Sequence, residues 1–171
     1  MHEVYVSIGS NINREEYICY ALDLLQENFE KLLCSPVYES VAVGFEGENF
    51  YNLVVRFNTN LSLEELAKKL RAIEDDNGRD RHKPKFSART LDLDILTYDN
   101  YVGEHAGMIL PREEITYNAF VLKPLADIAG DAQHPELRKN YKQLWCEFDT
   151  RKQKLWQIEF NWRNLRLTNA E

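Results

Sequence analysis

Cysteine is scarce in this chain, with three in 171 residues. Cys19, Cys34 and Cys146 are widely spaced, odd in number and form no Cys-x-x-Cys pair. That argues against a disulfide framework or a zinc site and for reduced, packed thiols. No apolar run approaches the ~20 residues that cross a bilayer. No signal-peptide pattern stands at the start, where residues 1–9 already read as a strand, so a cytoplasmic location is expected. Repeats, low-complexity tracts and linker-like stretches are also missing, which points to a single domain over 1–171. An excess of positive charge is lacking too. Lys and Arg number 21 against 28 Asp and Glu, for a net charge of −7, a poor basis for gripping nucleic acid. No Ser-His-Asp or Cys-His arrangement suggests a covalent nucleophile.

What is present suits a soluble enzyme-sized fold. A hydrophobic fraction of 44% supports a core and a charged fraction of 29% supports solubility. Val4, Val6 and Ile8 alternate in a first strand, which Gly9-Ser10-Asn11 should break. Asn13 with Glu16 predicts a capped helix to about Asn28, its buried stripe formed by Tyr17, Ala21, Leu24, Leu25 and Phe29. Lys31 to Val43 reads as a strand disturbed at Ser35-Pro36, either at an edge or at a bulge. Asn49 to Thr59 reads as another strand. Ser62 and Glu65 predict a second capped helix, buried through Leu66, Leu70 and Ile73 and ended by Asn77-Gly78. Thr90 to Tyr98 is a strand turned by Asp99-Asn100. Helices follow over about 118–129, bent or divided near Pro124, and within 137–148. The tail over 154–167 alternates apolar residues and fits either a strand or a packed flap. Strand, helix, strand, strand, helix, strand is the split βαβ order. The expected fold is therefore an α+β, ferredoxin-like sandwich, an antiparallel-rich sheet with helices on one face.

Two segments carry chemistry together. In Arg89-Thr90-Leu91-Asp92-Leu93-Asp94-Ile95, strand alternation sends the three apolar residues to the core and both aspartates to the opposite face, roughly 7 Å apart at a rise of ~3.3 Å per residue. Two carboxylates so placed suit Mg²⁺, which takes one or two carboxylates and completes its shell with phosphate oxygens. Alone, the pair reads more readily as a solvated strand face. The preceding loop changes that balance, because Arg79, Arg81, His82, Lys83, Lys85 and Arg89 supply a local anion-binding surface on an acidic protein. Tyr51, Asn52 and Phe120 add aromatic faces and an amide able to match a flat heterocycle, although such aromatics are more often core.

Taken in order, these pieces resemble the 6-hydroxymethyl-7,8-dihydropterin pyrophosphokinases of folate biosynthesis. The resemblance runs from about Val4 to Ala129. It includes Gly9-Ser10-Asn11, Tyr51-Asn52-Leu53, Ile73-Glu74, Gly78-Arg79-x-Arg81, the Arg89 to Ile95 run, Leu110-Pro111 and Phe120-Val121-Leu122-x-Pro124-Leu125. It implies transfer of pyrophosphate from Mg-ATP to the pterin hydroxymethyl group with release of AMP. Asp92 and Asp94 would hold two Mg²⁺ ions and, with Arg81 and Arg89, form the catalytic set. ATP would meet Glu74, Arg79, Arg81, Phe86, Arg89, Ile95 and Arg112. The pterin would meet Ser40, Val43, Asn52 and Phe120. A monomer acting on small molecules, with neither nucleic acid nor membrane as partner, is the expectation. The family-like core covers about 1–135 and leaves an extension over about 136–171.

The chain departs from the family pattern at four places. Arg112 stands where the family has His, Asn118 where a basic residue is usual, Phe86 where Trp is usual, and Ser87-Ala88 where Gly-Pro is usual. Because charge stabilisation dominates phosphoryl transfer, these departures raise an alternative: a weakened or non-catalytic relative that binds pterin or nucleotide. An RNA-binding module on the same fold is disfavoured by the net charge and by the lack of the required aromatic pattern.

Overall fold

One antiparallel sheet organises the chain, and helices cover both of its faces. A computed structural model describes residues 1–41, 47–76 and 91–167. In chain order its elements are β1 (His2–Ser10), α1 (Arg14–Asn28), β2 (Leu33–Cys34), β3 (Val37–Ser40), β4 (Phe50–Thr59), α2 (Leu63–Asp76), β5 (Asp92–Tyr98), β6 (Gly103–His105), β7 (Met108–Leu110), α3 (Glu114–Tyr117), α4 (Ala119–Ala129), α5 (Tyr141–Glu147), β8 (Leu155–Ile158), β9 (Asn161–Trp162) and β10 (Leu165–Arg166). The main sheet runs β5-β1-β4-β3-β8, with β2 also pairing β4. That is the strand order of the expected ferredoxin-like core, extended by β8.

Alternation along the strands builds two apolar layers. Val4, Val6 and Ile8 of β1, Leu53, Val55 and Phe57 of β4, and Leu93 and Ile95 of β5 pack with α1 and α2 on one face. Tyr5, Val54 and Leu96 point the other way, against Ile115, Val121, Leu122, Leu125 and Tyr141. Each fully buried aliphatic side chain contributes roughly 1.5–3 kcal/mol, so the second layer matters as much per residue as the first. The expected one-sided arrangement describes α1 and α2. The later helices add cover on the opposite side, which a period-2 reading of β4 did not reveal.

Local chemistry explains where the expected boundaries moved. Asn13 adopts a left-handed conformation (φ 44°) and its side chain caps nothing, so no capping box forms with Glu16. The stripe of α1 is rotated accordingly: Ile18 and Leu22 are buried with Ala21 and Leu25, while Tyr17 and Leu24 are only half-buried. In α2 the expected cap does form, with the Glu65 N–H donating to Ser62 Oγ at 3.2 Å. Helix α4 runs undivided through Pro124. The Asn77-Gly78 stop lies outside the described residues. Among those described, no helix is long and apolar enough to cross a membrane.

The tail resolves into both of its alternatives. Strand β8 pairs antiparallel with β3, Val37 opposite Ile158 and Ser40 opposite Leu155. Beyond it, Phe160, Trp162 and Leu167 enter the first core layer, and Trp162 Nε1 donates to Asp23 Oδ1 at 2.9 Å. Strand β8 pairs only with Val37–Ser40 and β2 pairs only with β4, so the Ser35-Pro36 irregularity sits where the outer side of the sheet is open. It separates β2 from β3, and Ser35 restores the pairing that proline interrupts. The Ser35 N–H donates to the Val54 carbonyl, and Ser35 Oγ accepts from the Val54 N–H at 2.9 Å.

Ser35 is fully buried, so Ser35→Ala leaves the Val54 N–H without its acceptor. The expected loss is about 1–3 kcal/mol of unfolding free energy. Urea denaturation should show it as a lower midpoint at unchanged slope.

Candidate active site

The register of the sheet brings the sequence motifs into one row. Asp92 of β5 faces Gly9 of β1, Gly9 faces Asn52 of β4, and Asn52 faces Tyr38 of β3. Residues directly opposed across antiparallel strands share a face. Strands lie about 4.8 Å apart, so the backbones of Asp92 and Asn52 are roughly 10 Å from each other. Gly9 sits between them without a side chain. A Cβ there would stand 2.8 Å from Asn52 Oδ1, too close for van der Waals contact. Gly9 and Ser10 remain within β1 rather than breaking it. The glycine is needed for close approach, not for a turn, and the turn reading of the triplet is corrected on that ground.

At one end of the row lie the acids. Asp92 and Asp94 are half-buried on the same side of β5, while Leu91, Leu93 and Ile95 enter the core as expected. Because β5 is the open edge of the sheet, its outward backbone groups need partners from elsewhere. The Glu74 carboxylate, buried on α2, accepts from the Leu93 N–H at 2.9 Å. Arg112 takes the carbonyls: its backbone N–H donates to Leu96 O at 2.9 Å and its Nε to Ile95 O at 3.3 Å. The two side chains thereby bracket Asp94. Arg112 Nη2 stands 3.2 Å from Asp94 Oδ1, and Nη1 stands 3.6 Å from Glu114 Oε1. These groups line a cleft of about 530 Å³, walled by α2 on one side and by Ala106, Gly107 and Met108 of the β6–β7 hairpin on the other. Ile95 belongs mainly to the core, with its side chain touching the cleft and its carbonyl holding Arg112.

The electrostatics there favour a cation. Burial first, and the charge of Asp92 next, push the Asp94 carboxyl up to about 7, with Glu114 and Glu74 adding to the shift and Arg112 opposing it. Around Asp94 the carboxylates of Asp92, Glu74 and Glu114 outweigh the Arg112 guanidinium, while Lys68 and Arg71 line the α2 wall of the same cleft. Among the described residues no three His, Cys, Asp or Glu side chains are grouped to hold a metal. That donor set does not suit a structural zinc ion, which needs four protein ligands. It suits a hard cation bound through two carboxylates and otherwise through oxygens of a ligand and water.

At the other end of the row, Asn52 Nδ2 donates to Ser40 Oγ at 3.1 Å, with both residues buried. Ser40 and Phe120 line a cavity of about 210 Å³ with Val41, Gln153 and Leu155. Tyr51 does not join them. Its ring packs toward the α1 face, under the Arg14 guanidinium at 4.0 Å and edge-on to Phe160. Asn118 turns its amide to Glu114 Oε2 at 3.2 Å. Arg79, Arg81, Phe86, Arg89 and Val43 lie outside the described residues. Sequence reasoning missed the residues over 152–155 on the second cavity. Their only signal was the alternating pattern of the tail, which indicates a strand but not what it lies against.

Comparison with known proteins identifies the family. A family model described as 7,8-dihydro-6-hydroxymethylpterin-pyrophosphokinase (HPPK) matches residues 5–130. The chain is 36% identical over 146 residues to a 2-amino-4-hydroxy-6-hydroxymethyldihydropteridine pyrophosphokinase of Aquifex aeolicus, covering 84% of this chain and 91% of that protein. It is 36% identical over 133 residues to a Bacillus subtilis protein of the same name, covering 75% of this chain and 79% of that one. A solved Plasmodium falciparum HPPK-DHPS chain matches with a TM-score of 0.66 at 15% identity. That alignment covers 88% of this chain and 44% of the Plasmodium chain, so this chain spans less than half of it. At that identity the structural likeness speaks for the fold alone, whereas the family match and the two bacterial relatives carry the assignment: the chain belongs to the 7,8-dihydro-6-hydroxymethylpterin-pyrophosphokinase family.

Proposed function

We propose that this chain transfers pyrophosphate from Mg-ATP to 6-hydroxymethyl-7,8-dihydropterin and releases AMP, a step of folate biosynthesis. The observation that carries the reading is the row Asp92–Gly9–Asn52, which sets a pair of acids and the hydrogen-bonded Asn52–Ser40 pair on one sheet face with only a glycine between them. A pterin lying along that row has its ring edge at Asn52 and Ser40, one face against Phe120, and its hydroxymethyl arm over Gly9. The arm then points at Asp92, where a triphosphate in the larger cleft presents its β-phosphorus.

The chemistry asks for positioning and charge neutralisation rather than a protein nucleophile. The pterin hydroxymethyl oxygen forms a bond to the β-phosphorus, and the bond from that phosphorus to the oxygen bridging it to the α-phosphate breaks. Asp92 and Asp94 would hold two Mg²⁺ ions, whose charge offsets that of the triphosphate. Arg112 keeps a fixed guanidinium beside Asp94, so the exchange of His for Arg preserves positive charge at the cleft. Asn118 brings no such charge. Arg79, Arg81 and Arg89 are assigned to the phosphates, Phe86 to cover over the nucleotide, Val43 to the pterin pocket, and Glu74 and Ile95 to the nucleotide wall. Glu74 also ties α2 to the edge strand that bears the acids.

Incubation with Mg-ATP and the hydroxymethyl pterin should yield AMP and pterin pyrophosphate in equal amounts. Binding of both substrates by folded protein without AMP would instead favour the binding-only relative. Gly9→Ala should displace Asn52 and raise the KM for pterin about tenfold or more, with Mg-ATP affinity little changed, as steady-state kinetics and calorimetry can separate.

Asp94→Asn should abolish magnesium-dependent ATP binding in calorimetry. In metal-free protein it should also change the pH profile of stability. An acid whose folded pKa is raised, here from 3.8 to about 7, stabilises the fold fully below the lower value and progressively less up to the higher one. Thermal midpoints without metal should therefore fall as pH rises from about 4 to about 7. The asparagine variant should lose that part of the slope.

A further inference from the structure

The C-terminal segment, past the residues matched by the family model, reaches back to the pterin end of the site. Asn118 is the junction between α3 and α4. It is extended (φ −110°, ψ 113°), and its side chain does not cap α4; its Nδ2 donates to Glu114 Oε2 instead. A helix start without a cap leaves N–H groups unpartnered. Gln153 takes over that task from 34 residues away. Its Oε1 accepts from the Ala119 N–H at 2.7 Å, and its Nε2 donates to the Tyr117 carbonyl at 2.6 Å. One amide group thus grips the backbone on both sides of Asn118.

Phe120 is the residue that follows this grip. It shares the 210 Å³ cavity with Gln153 and Ser40. Gln153 is itself anchored, since β8 starts two residues later and Leu155 pairs with Ser40. The strand that carries Ser40, and through it Asn52, is therefore tied to the start of α4 through a short stretch of the tail. We propose that Gln153 is a positioning residue for pterin binding, holding the start of α4 so that the Phe120 ring stands over the Ser40–Asn52 edge. The inference rests on the pterin reading above, but the grip itself is independent of any ligand. Capping bonds near a helix start fix the backbone of the first turn, and a ring two atoms from that backbone inherits its placement.

The test uses the full chain with Gln153→Ala and Gln153→Met, the second keeping side-chain bulk without the two hydrogen bonds. Both should raise the KM for hydroxymethyl pterin about tenfold and leave that for ATP within about twofold, as loss of a pair of neutral hydrogen bonds would give. Phe120→Leu added to Gln153→Ala should cost little beyond Phe120→Leu alone, because the ring whose position Gln153 sets is already gone. Amide exchange at residues 119–122 should quicken in both single variants. An unchanged pterin KM, or an equal rise for both substrates, overturns the positioning role. Unchanged exchange at 119–122 overturns the grip. If the native protein binds no pterin at all, the proposed function fails, and the exchange measurement still decides the grip alone.

Discussion

Everything at the site depends on the antiparallel register of β1 with its two neighbours. Fixing Gly9 opposite both Asp92 and Asn52 decides at once which acids face which amide, and at what spacing. A slip of one residue would turn the whole set to the other face. The two apolar layers prevent that slip. Val6 and Ile8 must point to the α1 side and Tyr5 to the α4 side, so hydrophobic burial on both faces of the sheet holds the polar row in place. The core is thus part of the specificity of the site, although none of its side chains carries chemistry.

The position of β5 at the open edge explains the second feature of the site. An edge strand exposes N–H and C=O groups that must find partners. Here Glu74 and Arg112 provide them, and both are charged. Burial and Asp92 raise the Asp94 pKa most, and these two backbone-binding groups modulate it, Arg112 lowering it and Glu74 adding to the rise. The same contacts therefore hold the strand rigid and tune the carboxylate.

Much of this was legible in the sequence. The Arg-Thr-Leu-Asp-Leu-Asp run gave the strand, its core face and its acidic face, because period-2 alternation is a strong local signal. The strand and helix order gave the ferredoxin-like core for the same reason. The misses were non-local. Whether Gly9 serves a turn or an approach depends on a strand forty residues away. Tyr51 and Asn52 are adjacent in sequence but point to opposite faces, so they cannot serve one ligand. In α1 the buried stripe runs through Ile18 and Leu22, and Asn13 takes the left-handed conformation open to asparagine rather than a capping one. The reach of Gln153 to Ala119 joins segments that no periodicity connects.

The last two points bear on how such a site tolerates change. A row built from backbone register is insensitive to substitutions on its outer faces. Beside it, the Arg112 guanidinium is held by three separate contacts, to Ile95, Asp94 and Glu114. Asn118 shows the complementary case. Its Nδ2 bonds to Glu114, and the start of α4 is held instead by Gln153 from the tail.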